Sequence, residues 1–413
     1  MTSKILDLQE FTTPENCSVW LSYSKIPVVS FGLTFLGSGF RSSKDQPALL
    51  ELLSGLLDEG AGPYNRQTFK RKLLEKNIQL FMGADLDNFT FTFRVPKKNI
   101  KDAFEVLGFI LSSPRFEEED MERVKKQIKS GWEQSLHFPK TVAYEAFQKF
   151  FLGKDHPYNP RTLEKIKDIQ TLTTHDLRTY MGRHFSQENL RAVAVGDISS
   201  EELSLLLDPI FSKIKKSSSQ VTHESTLPQN LGQTLKVNMP VPQTVIYFGQ
   251  PSINIKDSDF YALYIVNRIL GSNFESRLWH EVREKRGLAY FCSTNLSNKD
   301  LSNVLLGVTA TKTETVDETI DILKKEWKRL ADFGITEEEL NFHKKNTIGS
   351  YALGFNSSLS IVSILLLYRQ LNFNIQDINS RNQKIQNLEI QNVNDAIKRY
   401  IKPSELTFVV VGK

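Results

Sequence analysis

At 413 residues the chain is too long for one ordinary hydrophobic core and long enough for two domains of about 200 residues each. With 40% hydrophobic and 24% charged residues it has the composition of a globular protein; a net charge of +4 gives no case for a nucleic-acid-binding face, and the longest apolar runs, such as 361–368, fall far short of a membrane span. Two cysteines, Cys17 and Cys292, exclude a disulfide scaffold and a cysteine-based zinc site.

In chain order, the first residues carry no apolar stretch of the kind that opens a signal peptide. The expected setting is therefore soluble: cytoplasmic, or a bacterial periplasm if a leader has been removed. Val28–Leu36 and Phe89–Val95 are β-rich. Between them Pro47–Glu59 reads as a leucine-rich helix, with Gly60 placed as its C′ residue. Phe104–Leu111 and Glu118–Leu136 have helical periodicity. Residues 213–229 are polar and serine-rich without apolar period and read as a linker. Beyond it come a strand at Thr244–Phe248, a helix at Phe260–Leu270, a strand at Asn303–Thr311, and helices at Val316–Phe333 and Glu337–Leu353, with Thr336 as an N-cap of the last.

The chain is written twice. Arg-His-Phe-Ser-Gln-Glu-Asn-Leu (183–190) leads into Ala-Val-Ala-Val-Gly ending at Gly196, and Arg-Tyr-Ile-Lys-Pro-Ser-Glu-Leu (399–406) leads into Phe-Val-Val-Val-Gly ending at Gly412, 216 residues later. Phe116–Met121 with Lys125 and Lys126 matches Ile335–Leu340 with Lys344 and Lys345, 219 residues on, and Leu74–Phe81 matches Arg283–Tyr290, 209 residues on. Three matches in one order imply a duplicated domain. The expected organisation is an α+β fold of two tandem homologous domains, 1–212 and 230–413, joined by the linker 213–229, each with helices packed on a largely antiparallel sheet.

The stretch Gly271-Ser-Asn-Phe-Glu-Ser-Arg-Leu-Trp-His-Glu-Val-Arg-Glu-Lys-Arg-Gly-Leu-Ala-Tyr290 resembles the second-domain signature of the pitrilysin/insulinase-type peptidases, a group that includes the mitochondrial processing peptidase and the core subunits of the cytochrome bc1 complex. Leu56–Gly62 resembles the first-domain helix end of that family, and the terminal Val-Val-Val-Gly also fits, so the resemblance runs from about Val19 to Lys413. It implies a processing-peptidase-like metallopeptidase fold.

Catalytic members carry H-x-x-E-H on a first-domain helix. Histidines four apart share one helical face and reach one metal, while the Glu before the second takes a proton from metal-bound water. A Glu from a later helix completes the set. Counting back from Gly60, this chain has Glu51 and Gly55 at the histidine positions and Ser54 at the general-base position. The later helix offers Lys125, Lys126, Gln127 and Glu133. His280-Glu281 begins like the non-inverted motif, but Glu284 stands where its second histidine belongs, and the seven histidines (137, 156, 175, 184, 223, 280, 343) show no paired ligand spacing. No metal is expected in this chain, and no activity from it alone. A site rebuilt from Glu51, Glu133 and a distant histidine is the disfavoured alternative.

The resemblance also implies substrate binding by an Arg and a Tyr seven residues apart, here Arg283 and Tyr290; the first copy has Leu74 and Phe81 instead. Taken singly, Arg283 could be a surface ion pair with Glu281 or Glu284, and Tyr290 a core tyrosine. Their joint presence inside the signature favours the substrate role. Lys285 and Arg286 are expected on a solvated charged face, and Phe274 and Trp279 in the core. The function implied is a non-catalytic, substrate-binding subunit of a heterodimeric zinc peptidase acting on peptides, with the zinc in a homologous partner chain. A single glycine in 270–277 argues against presequence processing and for a bacterial two-subunit enzyme. The alternatives are a scaffold subunit of a larger complex and a homodimeric peptide-binding protein that does not cleave.

Overall fold

Between Asn88 and Pro96 every second residue is Phe or Val, and Phe89, Phe91, Phe93 and Val95 are all at most 1% exposed. That period of two puts one apolar row on one face of a strand. Its neighbour, 28–36, repeats the pattern with Val29, Phe31, Leu33 and Phe35. The computed structural model describes residues 6–217 and 227–412, so residues 218–226 of the expected linker lie outside it.

The strands in chain order are β1 (Gln9–Thr12), β2 (Ser18–Tyr23), β3 (Val28–Leu36), the two-residue hairpin arms β4 (Gly60–Ala61) and β5 (Tyr64–Asn65), β6 (Gln79–Ala84), β7 (Asn88–Pro96), β8 (Leu190–Gly196), β9 (Thr234–Asn238), β10 (Thr244–Pro251), β11 (Ala289–Asn298), β12 (Asn303–Thr311) and β13 (Thr407–Gly412). They form a six-stranded sheet, β1-β2-β8-β3-β7-β6, and a five-stranded one, β11-β12-β10-β13-β9. Read outward from their parallel pairs, β2-β8-β3-β7-β6 and β9-β13-β10-β12-β11 are the same topology. In each, one parallel contact (β2 with β8, β9 with β13) sits beside otherwise antiparallel neighbours. The sequence duplication is thus a duplication of sheets, and the fold is α+β.

Two compact units contain these sheets, and each is assembled from non-contiguous chain. The first takes the chain to Trp132, a middle stretch beginning at Arg161, and Tyr351–Ser380; the second takes Glu133–Pro160, the following stretch to Ser350, and the chain from Arg381. Helices α1 (Leu49–Leu56), α2 (Arg66–Glu75), α3 (Ile100–Ser112) and α4 (Glu118–Ser135) follow one another in the first half, and α5 (Pro139–Leu152) packs on β10 and β13 of the second unit. Reciprocally, the Ser358–Gln370 helix packs on β3 and β8 of the first. One face of the first sheet carries α1 and α3 through Leu49, Leu52, Leu53, Leu56, Phe104 and Leu107; Val362, Leu365 and Leu366 cover the other against Trp20, Val193 and Val195.

Most expected elements fall where the periodicity put them: Phe260–Leu270, Val316–Phe333 and Asn303–Thr311 have the bounds read from sequence. At the start of the Glu337–Tyr351 helix, Glu339 N–H donates to Thr336 Oγ1 (3.2 Å) and Thr336 N–H donates back to Glu339 Oε2 (2.9 Å), a capping box. Gly60 is a correction. Helix α1 stops at Leu56, and Gly60, at φ +134°, opens β4, where its carbonyl accepts from Arg115 N–H (3.1 Å). Its left-handed backbone serves a hairpin, not a helix cap.

Gly32, in β3, faces the Ser358–Gln370 helix so closely that a Cβ there would lie 2.5 Å from both Leu366 Cδ1 and Val362 Cγ1. Gly32→Ala is expected to destabilise the first unit by about 1–3 kcal/mol through overpacking, measured as a lowered urea midpoint.

Candidate functional site

Helix α1 carries Leu49, Leu50, Leu52, Leu53 and Leu56 into the core, which leaves Glu51, Ser54 and Gly55 on its less buried side. None of the three is free to bind a metal. Glu51 forms an ion pair with Lys165, whose ammonium also lies 4.8 Å from the Phe40 ring centroid and 5.8 Å from that of Trp132. Burial raises the Glu51 pKa, and the Lys165 charge offsets this only in part. Ser54 Oγ donates to the Leu50 carbonyl one turn back (2.7 Å). A Cβ at Gly55 would lie 2.9 Å from Val124 Cγ1, so the space of a second ligand is filled from α4. Glu133 is exposed on α4. Among the described residues no three His, Cys, Asp or Glu side chains converge in a metal-binding group. A zinc ion does not fit the residues present: an ammonium already supplies positive charge at Glu51, and both imidazole positions lack a nitrogen.

A cavity of about 630 Å³ lies beside this helix face, bounded by Ser54, Gly55, Gln127, Arg123, Lys70 and Phe81. Its carboxylate Glu59 is buried and is held by Lys70 (2.9 Å), Arg66 (2.9 Å) and Arg123. Leu74 and Phe81, the first-copy counterparts of the Arg/Tyr pair, are 82% and 55% exposed, and neither carries a charge or a hydroxyl.

The second unit presents a different surface. Trp279–Glu284 is a π-helical turn, shown by the Lys285 N–H to His280 carbonyl bond (3.0 Å). Gly287, at φ +63°, ends it: Gly287 N–H donates to Arg283 C=O (3.0 Å) and Leu288 N–H to Val282 C=O (2.9 Å). The chain then enters β11, an edge strand with a register shift between Ala289 and Cys292. Tyr290 lies in that irregularity and is 78% exposed, so it is not a core tyrosine. Arg283 is exposed too, and the carboxylates nearest in sequence belong to other partners. Glu281 takes Lys285 and Arg286 (both 2.6 Å), and Glu284 takes His280 (2.6 Å). Partial burial pushes the Glu281 carboxyl up, but the hydrogen bonds from Lys285 and Arg286 outweigh it and hold the pKa at about 2. Arg283 instead lays its guanidinium 4.2 Å from the Trp279 ring centroid.

Phe274 and Trp279 overturn the expectation that they belong to the core. Phe274 is 72% exposed, and its ring meets the half-buried Trp279 edge-on at 4.6 Å. Apolar residues in a helical stretch usually face inward, but Leu278 and Val282 already fill that side at 0% exposure. Lys165 was also missed: it lies 114 residues from Glu51, and only tertiary structure joins the two.

These features define a two-unit α+β fold in which, among the described residues, the side chains form no metal-binding group. A model of the peptidase M16 inactive domain matches residues 171–347. The non-peptidase homolog YmxG of Helicobacter pylori is 26% identical over 408 residues, spanning 94% of this chain and 89% of that protein. A crystal structure of the peptidase M16 inactive domain from Pseudomonas fluorescens shares the fold at a TM-score of 0.91 and 22% identity, covering 98% of each chain. The periplasmic protease PqqL of Escherichia coli does so at 0.83 and 17% identity, over 98% of this chain and 46% of that one. These likenesses fit the resemblance to pitrilysin/insulinase-type peptidases, with the matched model being that of the family's inactive domain. Among the described residues no single helix is long and apolar enough to cross a membrane.

Two predictions follow from the buried polar groups. Lys165→Met leaves Glu51 without its cation and is expected to cost about 3 kcal/mol at neutral pH. The loss should shrink on acidification as Glu51 takes a proton, and Glu51→Gln in the same chain should recover most of it; urea unfolding across pH reads all three. His184 and His343 serve as buried neutral rings rather than ligands, with burial lowering both pKa values to about 4. Both bind fewer protons folded than unfolded, so their contribution is complete above about pH 6.5. It should fall by about 1.4 kcal/mol per pH unit per histidine between there and pH 4, and His184→Gln should flatten that slope.

Proposed function

We propose that this chain is the substrate-binding, non-catalytic subunit of a two-chain zinc peptidase that cleaves peptides or small unfolded proteins. A homologous partner carries H-x-x-E-H and the zinc. The reading rests on one observation above all: Arg283 and Tyr290 both expose their side chains where the chain enters the free edge strand β11. An edge strand can pair with an extended peptide through main-chain hydrogen bonds, which gives affinity tolerant of sequence. A guanidinium fork and a phenol hydroxyl beside it can hold a substrate carbonyl, and stabilise the oxygen as it becomes negative. A pure scaffold subunit has no use for such a pair at an open edge.

In this reading the two sequence copies, 1–212 and 230–413, have divided the labour: the first has lost the metal and the second keeps the clamp. A periplasmic setting is part of the proposal, by likeness to PqqL, which is described as periplasmic.

The test is a quenched-peptide cleavage assay with zinc on this chain, the H-x-x-E-H partner, and their mixture. Activity is expected only from the mixture, with Arg283→Ala lowering kcat/KM by about 100-fold and Tyr290→Phe by about 10-fold or more. An inert mixture that still binds peptide would favour a peptide-binding homodimer, and one that neither binds nor cleaves would favour a scaffold role.

A further inference from the structure

Resting on that reading, we propose that Phe274 and Trp279 form the specificity-determining platform of the clamp, and that it receives one apolar side chain, aromatic or leucine-like, of an extended peptide.

Phe274 keeps 72% of its surface in water, and its main aromatic neighbour, Trp279, is itself only half buried. The two rings are in edge contact at 4.6 Å, and Trp279 touches the Arg283 guanidinium at 4.2 Å on the same turn. Phe274, Trp279 and the clamp arginine therefore form one continuous surface. The loop that presents Phe274 is pinned before any ligand arrives. Asn273 Nδ2 donates to the Arg268 carbonyl (3.2 Å), Glu275 N–H donates to Asn273 Oδ1 (2.8 Å), and Ser276 Oγ donates to the Asn273 carbonyl (2.6 Å). A side chain presented by a fixed loop costs less ordering on binding than one on a mobile loop.

The chemistry of the occupant follows from what surrounds the rings. Glu281 is taken by Lys285 and Arg286, and Glu284 by His280, so neither carboxylate is available to select a basic side chain. Further along β11 the exposed side chains are Ser293 and Asn295, small and polar, so discrimination concentrates at the Tyr290 end of the strand. Two rings offer far less than the roughly 800 Å² per partner of a stable protein interface, which fits a single side chain and not a folded partner. Trp279 acts as a positioning residue as well, since a guanidinium stacked on an indole has fewer poses than one on a free side chain.

The experiment measures fluorescence anisotropy of short, unstructured, fluorescein-labelled Gly/Ser/Ala peptides bearing one Leu, Phe, Ser or Asp, titrated with the full chain. The Leu and Phe peptides are expected to bind about 10-fold tighter than the Ser peptide. Phe274→Ser should collapse that ratio towards one, whereas Arg283→Ala should weaken all the peptides and keep the ratio. Trp279→Ala should lose both affinity and ratio, and Trp279→Phe should restore part of each. Equal affinities for all four peptides, with binding still dependent on Arg283, would sink the platform and leave the clamp standing. Binding absent, or indifferent to Arg283→Ala and Tyr290→Phe, would overturn both.

Discussion

Both sheets depend on a helix seated over a glycine of a central strand. In β3 it is Gly32, under Val362 and Leu366; in β10 it is Gly249, where a Cβ would lie 3.2 Å from Phe147 Cζ of α5 and 2.8 Å from the Leu305 carbonyl. The two glycines stand 217 residues apart, close to the spacing of the sequence repeat. A sheet with helices on one face leaves the other apolar row in water, and no short loop can cover it. Here the cover for each sheet comes from a helix far away in sequence. Trp20, Val193 and Val195 are buried against Val362, Leu365 and Leu366 of the Ser358–Gln370 helix, with Ile378 beyond it. Arg369 at the end of that helix ties it further, donating to Glu10 Oε1 (3.2 Å) and to the Ser18 carbonyl (2.9 Å). Neither unit would be complete if the chain were cut in half at the serine-rich stretch.

The positions that would carry the metal ligands in H-x-x-E-H are packed and charge-compensated by other means. With Glu51 and Gly55 at the two histidine positions of H-x-x-E-H, this helix face has a half-buried carboxylate to neutralise and the volume of a missing side chain to fill. Glu51 resolves part of this with Lys165, whose ammonium is sheltered by two aromatic rings and so retains much of its attraction for the carboxylate. Gly55 resolves another part by letting Val124 occupy the space of a side chain. Glu59, in the same region, is surrounded by three cations. The result is a charge-compensated cleft without the geometry that metal binding requires.

Much of this was legible in the sequence, for reasons that differ by element. Strands such as Val28–Leu36 and helices such as Phe260–Leu270 announce themselves because one buried face imposes a period of two or of 3.6. The duplication was legible because offsets near 216 survive divergence. Glu51, Ser54 and Gly55 could be placed by counting from Gly60, although Gly60 itself proved to open a hairpin. What could not be read was anything set by long-range packing. The exchange of covering helices leaves no local mark, since α5 has the same apolar pattern whichever sheet it meets. The Lys165 pairing is equally silent. Phe274 and Trp279 were misjudged because their residue type argues for burial, and only the arrangement of Leu278 and Val282 on the inner side of the turn shows that the core has no room for them.

The positions of Leu74/Phe81 and Arg283/Tyr290 show how one ancestral unit supplied two unlike surfaces. In both copies a turn leads into an edge strand, β6 in one and β11 in the other, so the backbone offers the same open ladder twice. What differs is the side-chain chemistry beside it. The first copy sets two apolar groups next to a cavity whose charges are already matched. The second sets a guanidinium and a phenol beside a strand with small polar neighbours. An apolar edge can only adhere, whereas a guanidinium and a hydroxyl can orient a carbonyl as well. Orientation without a metal has value only where chemistry happens elsewhere, so in the proposed reading the Arg283 and Tyr290 pair, more than any missing ligand, argues for a subunit role.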